Sequence, residues 1–201
     1  MSESLLTERI ARIRLKIEQA ARVDADREVF GSDSHNYEFN PPVGAEEIAR
    51  FEQYHNVTLP AEYKAFITTL GNGGPGDYGG AGPFYGIYPL GDFGYLEHAA
   101  KYMSAACVVD SSLTEKKWQA MTAFENQLER ESPEYNNHYD RLFSGLMFIG
   151  TQGCNFQTML VLNGPDAGRV VYIDQDLQPP ILQGNFLDWY ETWLDAILSK
   201  L

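Results

Sequence analysis

The chain has few of the features that mark secreted, membrane-spanning or nucleic-acid-binding proteins. It holds two cysteines in 201 residues, too few for a disulfide framework. No apolar run approaches the ~18 residues that cross a bilayer. The N-terminal residues contain no apolar signal segment, so a cytoplasmic location is expected. Bases are scarce as well, since 15 Lys and Arg stand against 28 Asp and Glu. This balance argues against binding to phosphate backbones or to anionic membranes.

The composition is that of a folded, acidic protein. Apolar residues make up 44% of the chain and charged residues 21%, which is enough apolar material for a core and too little charge for intrinsic disorder. The net charge is −13, and residues 1–30 hold equal numbers of bases and acids. The whole negative excess therefore lies in residues 31–201, and such a body favours a basic partner.

Helical spacing dominates the first half of the chain. Residues 5–23 place apolar side chains at alternating spacings of three and four, which predicts an amphipathic helix lying against the body, with a coiled-coil arm as the alternative. Further helices are expected to begin near Ala45 and at Pro60. The apolar face of the helix near Ala45 is predicted to consist of Ile48, Phe51 and Tyr54.

The second half of the chain changes from helical spacing to β-branched and aromatic runs. The predicted elements are a short strand at 87–90, helices at about 95–103 and 113–131, strands at 146–150, 156–162 and 169–174, and a closing helix at 185–201. Pro133 is expected to follow the end of the helix at 113–131. Helices, then a meander of strands, then a closing helix predict an α+β fold in which a twisted antiparallel sheet is flanked by helices.

A glycine-rich loop at residues 71–86 is the most conspicuous local feature. It contains eight of the 18 glycines and no Lys or Arg, which excludes a P-loop. A helix precedes the glycines where a dinucleotide fingerprint needs a strand. Four aromatic residues lie in or just after the loop: Tyr78, Phe84, Tyr85 and Tyr88. Exposed aromatics on a glycine-rich backbone are typical of binding surfaces, and a purely structural loop is the alternative.

Residue patterns for catalysis or metal binding are missing from the sequence. The four histidines are isolated, without the spacing of metal ligands, so neither a metal nor a cofactor is expected. Cys154 lacks the surroundings of a known nucleophile and is interpreted as a packed thiol near the start of a strand. The many carboxylates show no pairing that would identify an acid and a base. No catalytic residue is predicted.

Four segments, taken in order, resemble the SUKH superfamily, a domain of the Smi/Knr type that a fungal regulator of cell-wall synthesis shares with many bacterial immunity proteins. The opening segment carries Ile48 and Phe51-Glu52, then Leu59-Pro60, Tyr63 and Phe66, and Asn72-Gly73-Gly74. The later segments are GAGPFYGIYPL, GTQGCNFQTMLVLNGPDAGRVVYID and FLDWYETWLDAIL. Together they cover about residues 40–198. Departures are the lengthened glycine loop at PGDYG, the region 104–145, and the N-terminal helix.

The resemblance implies a non-enzymatic α+β domain that binds a protein, most often a toxin delivered by a competing bacterium. It also implies a domain at residues 40–201 preceded by a helix and loop at 1–39. Many such toxins are nucleases, which must be basic to hold phosphates, so the acidic body agrees with the resemblance. The residues expected to contact this partner are Asp77, Tyr78, Phe84, Tyr85, Tyr88, Asp92, Asp174 and Asp176.

Two other functions stay open at this point. A regulatory scaffold of the fungal type would bind host proteins and would need no neighbouring toxin gene. An uncharacterised hydrolase would use acidic residues near the glycine loop. The oligomeric state and the identity of the partner do not follow from the sequence.

Overall fold

The computed structural model describes residues 2–75 and 78–199 and is an α+β fold built on one antiparallel sheet. The α-helices are α1 (Glu3–Val23), α2 (Ser32–His35), α3 (Ala45–His55), α4 (Ala61–Thr69), α5 (Glu115–Thr122), α6 (Pro133–Arg141) and α7 (Phe186–Leu198). The strands are β1 (Leu146–Gly153), β2 (Phe156–Val161), β3 (Arg169–Asp174) and β4 (Ile181–Asn185). Two 3-10 helices span Gly94–Tyr102 and Ala123–Asn126.

The sheet is a meander in the order β1-β2-β3-β4, and it separates two apolar cores. One core lies between the sheet and α1, α3, α4 and α7, and the other lies beneath the 3-10 helix Gly94–Tyr102, α5 and α6. Alternation along β2 explains the division, because Leu160 faces the first core while Met159 and Val161 face the second. The sheet is therefore covered by helices on both faces.

Helix α1 is part of the first core. Its buried side chains are Ile10, Ile13, Ile17 and Ala20, as the spacing predicts, and it packs along α7. Ion pairs join Arg9 to Asp188, Arg12 to Glu191, and Lys16 to Glu191 and Asp195. Residue numbers rise together along both helices, so α1 and α7 run parallel.

Glu191 is the centre of this ion-pair ladder. Its carboxylate accepts hydrogen bonds from Arg9 Nε at 2.7 Å, from Arg12 Nε and Nη2 at 2.9 Å, and from Lys16 Nζ at 3.2 Å. Burial alone would raise the pKa of Glu191, but the hydrogen bonds from the three bases outweigh it and lower the pKa to about 2 from the ordinary 4.5. Three basic side chains of α1 are thus paired with carboxylates of α7.

Two predictions for residues 113–133 differ from the structure. The 113–131 segment is not one helix, because Trp118 and Phe124 both enter the second core and six residues of α-helix would place them about 120° apart around the helix axis. The chain tightens into the 3-10 helix after Thr122. Pro133 begins α6 rather than following a helix, with Ser132 as its cap.

The other differences concern residues 87–90, Tyr54 and β4. Residues 87–90 do not form a strand: Ile87 makes an isolated bridge with Gly80, and the N–H of Leu90 is donated to the side chain of Asn72. Tyr54 is 85% exposed, since only Ile48 is buried along α3. β4 was not predicted, and it pairs with β3 across a register shift.

Replacing Glu191 with Gln tests the ion-pair ladder. A carboxylate whose pKa is lowered in the folded state stabilises the fold above its unfolded pKa and loses this effect as the pH falls through the folded pKa. We expect Glu191→Gln to lower the free energy of unfolding by roughly 2 to 3 kcal/mol at pH 7, and by about half as much at pH 3. Urea titrations at both pH values measure this.

The matched control for that experiment is Asp195→Asn, which removes a carboxylate that is 60% exposed. Its cost is expected to stay below about 1 kcal/mol, as for exposed ion pairs. A Glu191→Gln cost that is the same at pH 3 and pH 7 would contradict the assignment of the lowered pKa.

Candidate partner-binding surface

The glycine loop, residues 71–86, is held by backbone hydrogen bonds to its surroundings. Gly80 and Ile87 exchange N–H to carbonyl bonds of 2.7 and 2.9 Å, and the N–H of Gly79 is donated to the carbonyl of Tyr85 at 2.9 Å. On the other side, the N–H of Ala81 is donated to Glu38 and the N–H of Asn40 to Gly73, both at 2.9 Å. The described parts of the loop are therefore hydrogen-bonded to the rest of the fold.

Glycine is required here because backbones approach each other closely. A Cβ at Gly80 would stand 2.3 Å from the carbonyl oxygen of Gly73, and one at Gly79 would stand 2.5 Å from the backbone of Gly86 and Ile87. No side chain fits in such a gap. The glycines at these two positions therefore permit tight packing of the backbone.

Five rings form a cluster, which we call the aromatic patch: Phe30, Tyr78, Phe84, Tyr85 and Tyr172. Tyr85 stacks on Tyr78 with centroids 4.8 Å apart and meets Phe30 edge-on at 5.3 Å. Phe84 contacts Phe30 at 6.4 Å and Tyr172 at 5.7 Å. Phe30 is 60% exposed and Tyr78 is 43% exposed, while the other three rings are half-buried. The patch thus presents large apolar rings to solvent.

The rings are fixed from beneath. Phe84 has φ +57°, an uncommon conformation for a bulky residue, and a Cβ at Gly31 would stand 1.9 Å from its carbonyl oxygen. The hydroxyl of Tyr172 accepts a 2.6 Å hydrogen bond from Trp189 Nε1 on α7. Strain of this kind is retained where the surrounding structure over-determines it, and it concentrates at functional sites.

Three of the four aromatics predicted from the glycine loop, Tyr78, Phe84 and Tyr85, meet in the patch. The fourth, Tyr88, turns to the second core and packs on Phe148 at 5.2 Å. Burial raises the pKa of Tyr88 to about 12, and the charge of Asp92 adds to this effect. Tyr88 and Asp92 are therefore close, but Tyr88 is not a member of the patch.

The predicted acidic residues are dispersed. Asp77 lies outside the described residues. Asp92 and Asp176 are exposed, and Asp176 accepts a 2.6 Å hydrogen bond from Asn155. Asp174 is buried, and its Oδ1 accepts from the backbone N–H of Asp176 at 2.9 Å, so it acts in the turn after β3 and not as a surface charge.

Phe30 was missed in the sequence, although it is the most exposed ring of the patch. It stands in a polar segment between α1 and α2, far along the chain from the glycine loop. The only local signal was a large apolar residue followed by a glycine, a pattern too common to single out. Its partners Phe84 and Tyr85 come together with it only through tertiary packing.

A groove of about 1500 Å³ lies apart from the patch, between α1, α3 and α4. Ile10, Ile48 and Leu59 lie at its base, and Leu15, 58% exposed, stands at its edge. None of the predicted contact residues that the structure describes lines this groove.

Other reactive or titratable side chains are scattered over the structure. Cys154 was expected to be a packed thiol, but it is exposed in the turn between β1 and β2, where its φ of +49° fits a tight hairpin. His35 is buried, and burial lowers its pKa to about 4. In residues 2–75 and 78–199 there is no group of three or more metal-ligating side chains. Among the helices described, none is long and apolar enough to cross a membrane.

Comparison with protein families decides the classification. The model of the SMI1 / KNR4 family (SUKH-1) matches residues 42–192, which is more than half of the chain. The chain belongs to this family. A search of the curated proteins found no significant match. SUKH domains generally bind protein partners and are generally non-catalytic, which agrees with a surface built from aromatic rings.

Replacing Gly80 with Ala tests the packing of the glycine loop. The added methyl group meets backbone that cannot move aside, so we expect the melting temperature to fall by several degrees or more, equivalent to about 1 to 3 kcal/mol. Gly44→Ala is the control, because a Cβ at Gly44 meets nothing within 4 Å. Equal melting temperatures for the two variants would refute the tight packing.

Proposed function

We propose that this protein is a bacterial immunity protein that neutralises a basic toxin domain by binding it through the aromatic patch and its acidic surroundings. The observation that carries the proposal is the patch itself, in which Phe30 and Tyr78 are exposed on a rigid support. Interfaces concentrate their binding energy in such aromatic anchors. Because the rings are already fixed, little conformational entropy is lost on binding.

Charge supports a basic partner. The chain carries −13, and part of its basic complement is used internally, since Arg9, Arg12 and Lys16 pair with α7. Asp92 and Asp176 are exposed, and neither forms an ion pair in the part of the chain that the structure describes. An acidic surface of this kind accelerates association with a basic domain and discourages other partners. Nucleases are basic for the reason given above, and they fit best.

The domain assignment and location belong to the same proposal. We assign residues 40–201 to the SUKH domain and regard 1–39 as an added helix and loop, since the family match begins at residue 42. An immunity protein for a toxin that acts on nucleic acid would reside in the cytoplasm. No cofactor is required, because neutralisation by binding involves no chemistry.

Two alternatives are separated by experiment. A regulatory scaffold would bind host proteins and would have no neighbouring gene for a large secreted protein with a small basic C-terminal domain. A hydrolase would turn over a nucleotide, glycan or ester, and a single Asp, Glu, His or Cys substitution would abolish the turnover. Co-expression with the C-terminal domain encoded by the adjacent gene is the direct test: the full chain should restore growth and co-purify with that domain.

Tyr78→Ala tests the patch as the binding surface. We expect binding to weaken by about 2 kcal/mol, since an anchor ring is removed, with no change in melting temperature because 43% of Tyr78 is exposed. Tyr54→Ala is the matched control, an even more exposed tyrosine on α3. Calorimetry with the partner domain and a thermal melt of each variant measure both effects. An equal loss of affinity in Tyr78→Ala and Tyr54→Ala would contradict the assignment of the patch as the binding surface.

Charge reversal tests electrostatic steering. The double variant Asp92→Lys, Asp176→Lys should slow association several-fold at low salt and leave it nearly unchanged at high salt. Glu46→Lys, Glu47→Lys changes the net charge equally, but these exposed acids lie in the first turn of α3. Stopped-flow association rates decide the matter. If the two double variants behave alike, only net charge matters and no local steering exists.

A further inference from the structure

The segment that joins α1 to α3 carries a residue that the family resemblance does not account for. Phe30 is 60% exposed, more than any other ring of the aromatic patch. Its ring rests on both Phe84 and Tyr85, so it extends the surface of the glycine loop outward. Residues 24–37 are called the Phe30 loop below.

The Phe30 loop is held in one conformation by buried polar contacts. Asp24 is 6% exposed, and its Oδ1 accepts the N–H groups of Glu28 and Val29 at 2.7 and 3.0 Å. Its Oδ2 accepts the hydroxyl of Tyr37 at 2.8 Å. At the other side of Phe30, Gly31 has φ +79° and abuts the carbonyl of Phe84. Phe30 is therefore presented by a rigid support, although it lies in a loop.

The exposed charged side chains of the Phe30 loop all have the same sign. The exposed charged residues of the loop are Asp26, Glu28 and Asp33. Arg27 is the only Lys or Arg in the loop, and its guanidinium turns inward. There it donates to the carbonyls of Ala21 and Asp24 and lies 5.2 Å from the ring centroid of Tyr37. The exposed ring of Phe30 thus belongs to a loop whose exposed charged side chains are all acidic.

The position of the loop in the chain separates it from the rest of the patch. The family match begins at residue 42, so Tyr78, Phe84 and Tyr85 belong to the matched domain and Phe30 does not. A surface formed from both parts combines the aromatic loop of the domain with an anchor from outside it. Variation in this anchor would change partner choice without disturbing the domain.

We propose that Phe30 is a specificity-determining anchor, which inserts into an apolar pocket of the partner whose rim is formed by Lys or Arg side chains. The proposal rests on the proposed function, and it adds the partner chemistry at this position. Burial of the ring supplies affinity, while the exposed acids of the same loop, Asp26, Glu28 and Asp33, select a basic rim and repel an acidic one.

The test uses the full chain and, as the probe, the C-terminal domain encoded by the adjacent gene. Phe30→Ala should weaken binding at least tenfold, mainly through faster dissociation, with an unchanged melting temperature. Phe30→Leu should recover part of the affinity, because it keeps an apolar side chain. Tyr54→Ala, which removes an exposed ring far from the Phe30 loop, should leave binding within twofold of the parent.

A second measurement covers the case in which Phe30→Ala lowers the melting temperature. A photo-crosslinking phenylalanine analogue is placed at position 30 or at position 54, and the complex is irradiated. Crosslinking from position 30 to a peptide of the probe that contains Lys or Arg supports the proposal. Crosslinking only from position 54, or none from position 30 in a complex that forms, overturns it.

The failure of this inference differs from the failure of the proposed function. If Tyr78→Ala weakens binding and Phe30→Ala binds within twofold of the parent, the anchor role is wrong and the immunity function stands. If Phe30→Leu binds no better than Phe30→Ala, an apolar pocket for the ring is excluded. If the parent chain does not bind the probe at all, both proposals fall together.

Discussion

Burial of the aromatic face of α7 is the constraint on which the other parts of the structure depend. Phe186 and Tyr190 are fully buried, and both rings meet Phe66 of α4. The hydroxyl of Tyr190 donates to the carbonyl of Ala81 in the glycine loop at 2.7 Å, and Trp193 stacks on Tyr37 of the Phe30 loop. One helix thus contacts the sheet, α4, the glycine loop and the Phe30 loop.

The same helix also explains why the N-terminal helix can lie where it does. The inner face of α7 packs on the sheet. On the side turned to α1, Glu191 accepts hydrogen bonds from three basic side chains. The first backbone N–H groups of α7 need partners, and Glu62 of α4 accepts one of them, from Leu187, at 3.0 Å. Apolar burial positions α7, and polar contacts then join α1 and α4 to it. The parts of the chain that carry the aromatic patch are joined to this helix through Trp189, Tyr190 and Trp193.

The parts of the fold with regular spacing could be predicted from sequence. The apolar stripe of α1, the start of α3 at Ala45 and the β-branched runs of β1 to β3 are local signals, and the structure agrees with them. Pro60 also marks the start of α4, although it immediately precedes the helix rather than beginning it. The region 104–145 could not be predicted, because burial of both Trp118 and Phe124 depends on a change of helix type that spacing does not reveal. β4 was hidden by Pro179, Pro180 and Gly184, which weaken a strand signal.

For the candidate surface, the sequence indicated residue types but not their arrangement. An aromatic glycine loop pointed to Tyr78, Phe84 and Tyr85, which do converge. It could not separate them from Tyr88, three residues after Tyr85, whose side chain turns to the second core. Asp174 and Asp176 are only two residues apart, but they differ in burial. Asp174 is buried and accepts a hydrogen bond within the turn, whereas Asp176 faces solvent. Such differences arise from contacts between distant segments, which a linear pattern does not contain.

The parallel ladder between α1 and α7 has a consequence for synthesis. Arg9 is translated 179 residues before its partner Asp188 and 182 residues before Glu191. Until then the apolar stripe of α1 has no α7 to cover it, and a chain that stops short of residue 186 keeps Ile10, Ile13 and Ile17 open to chaperones and proteases. The first core can therefore close only after α7 has been translated.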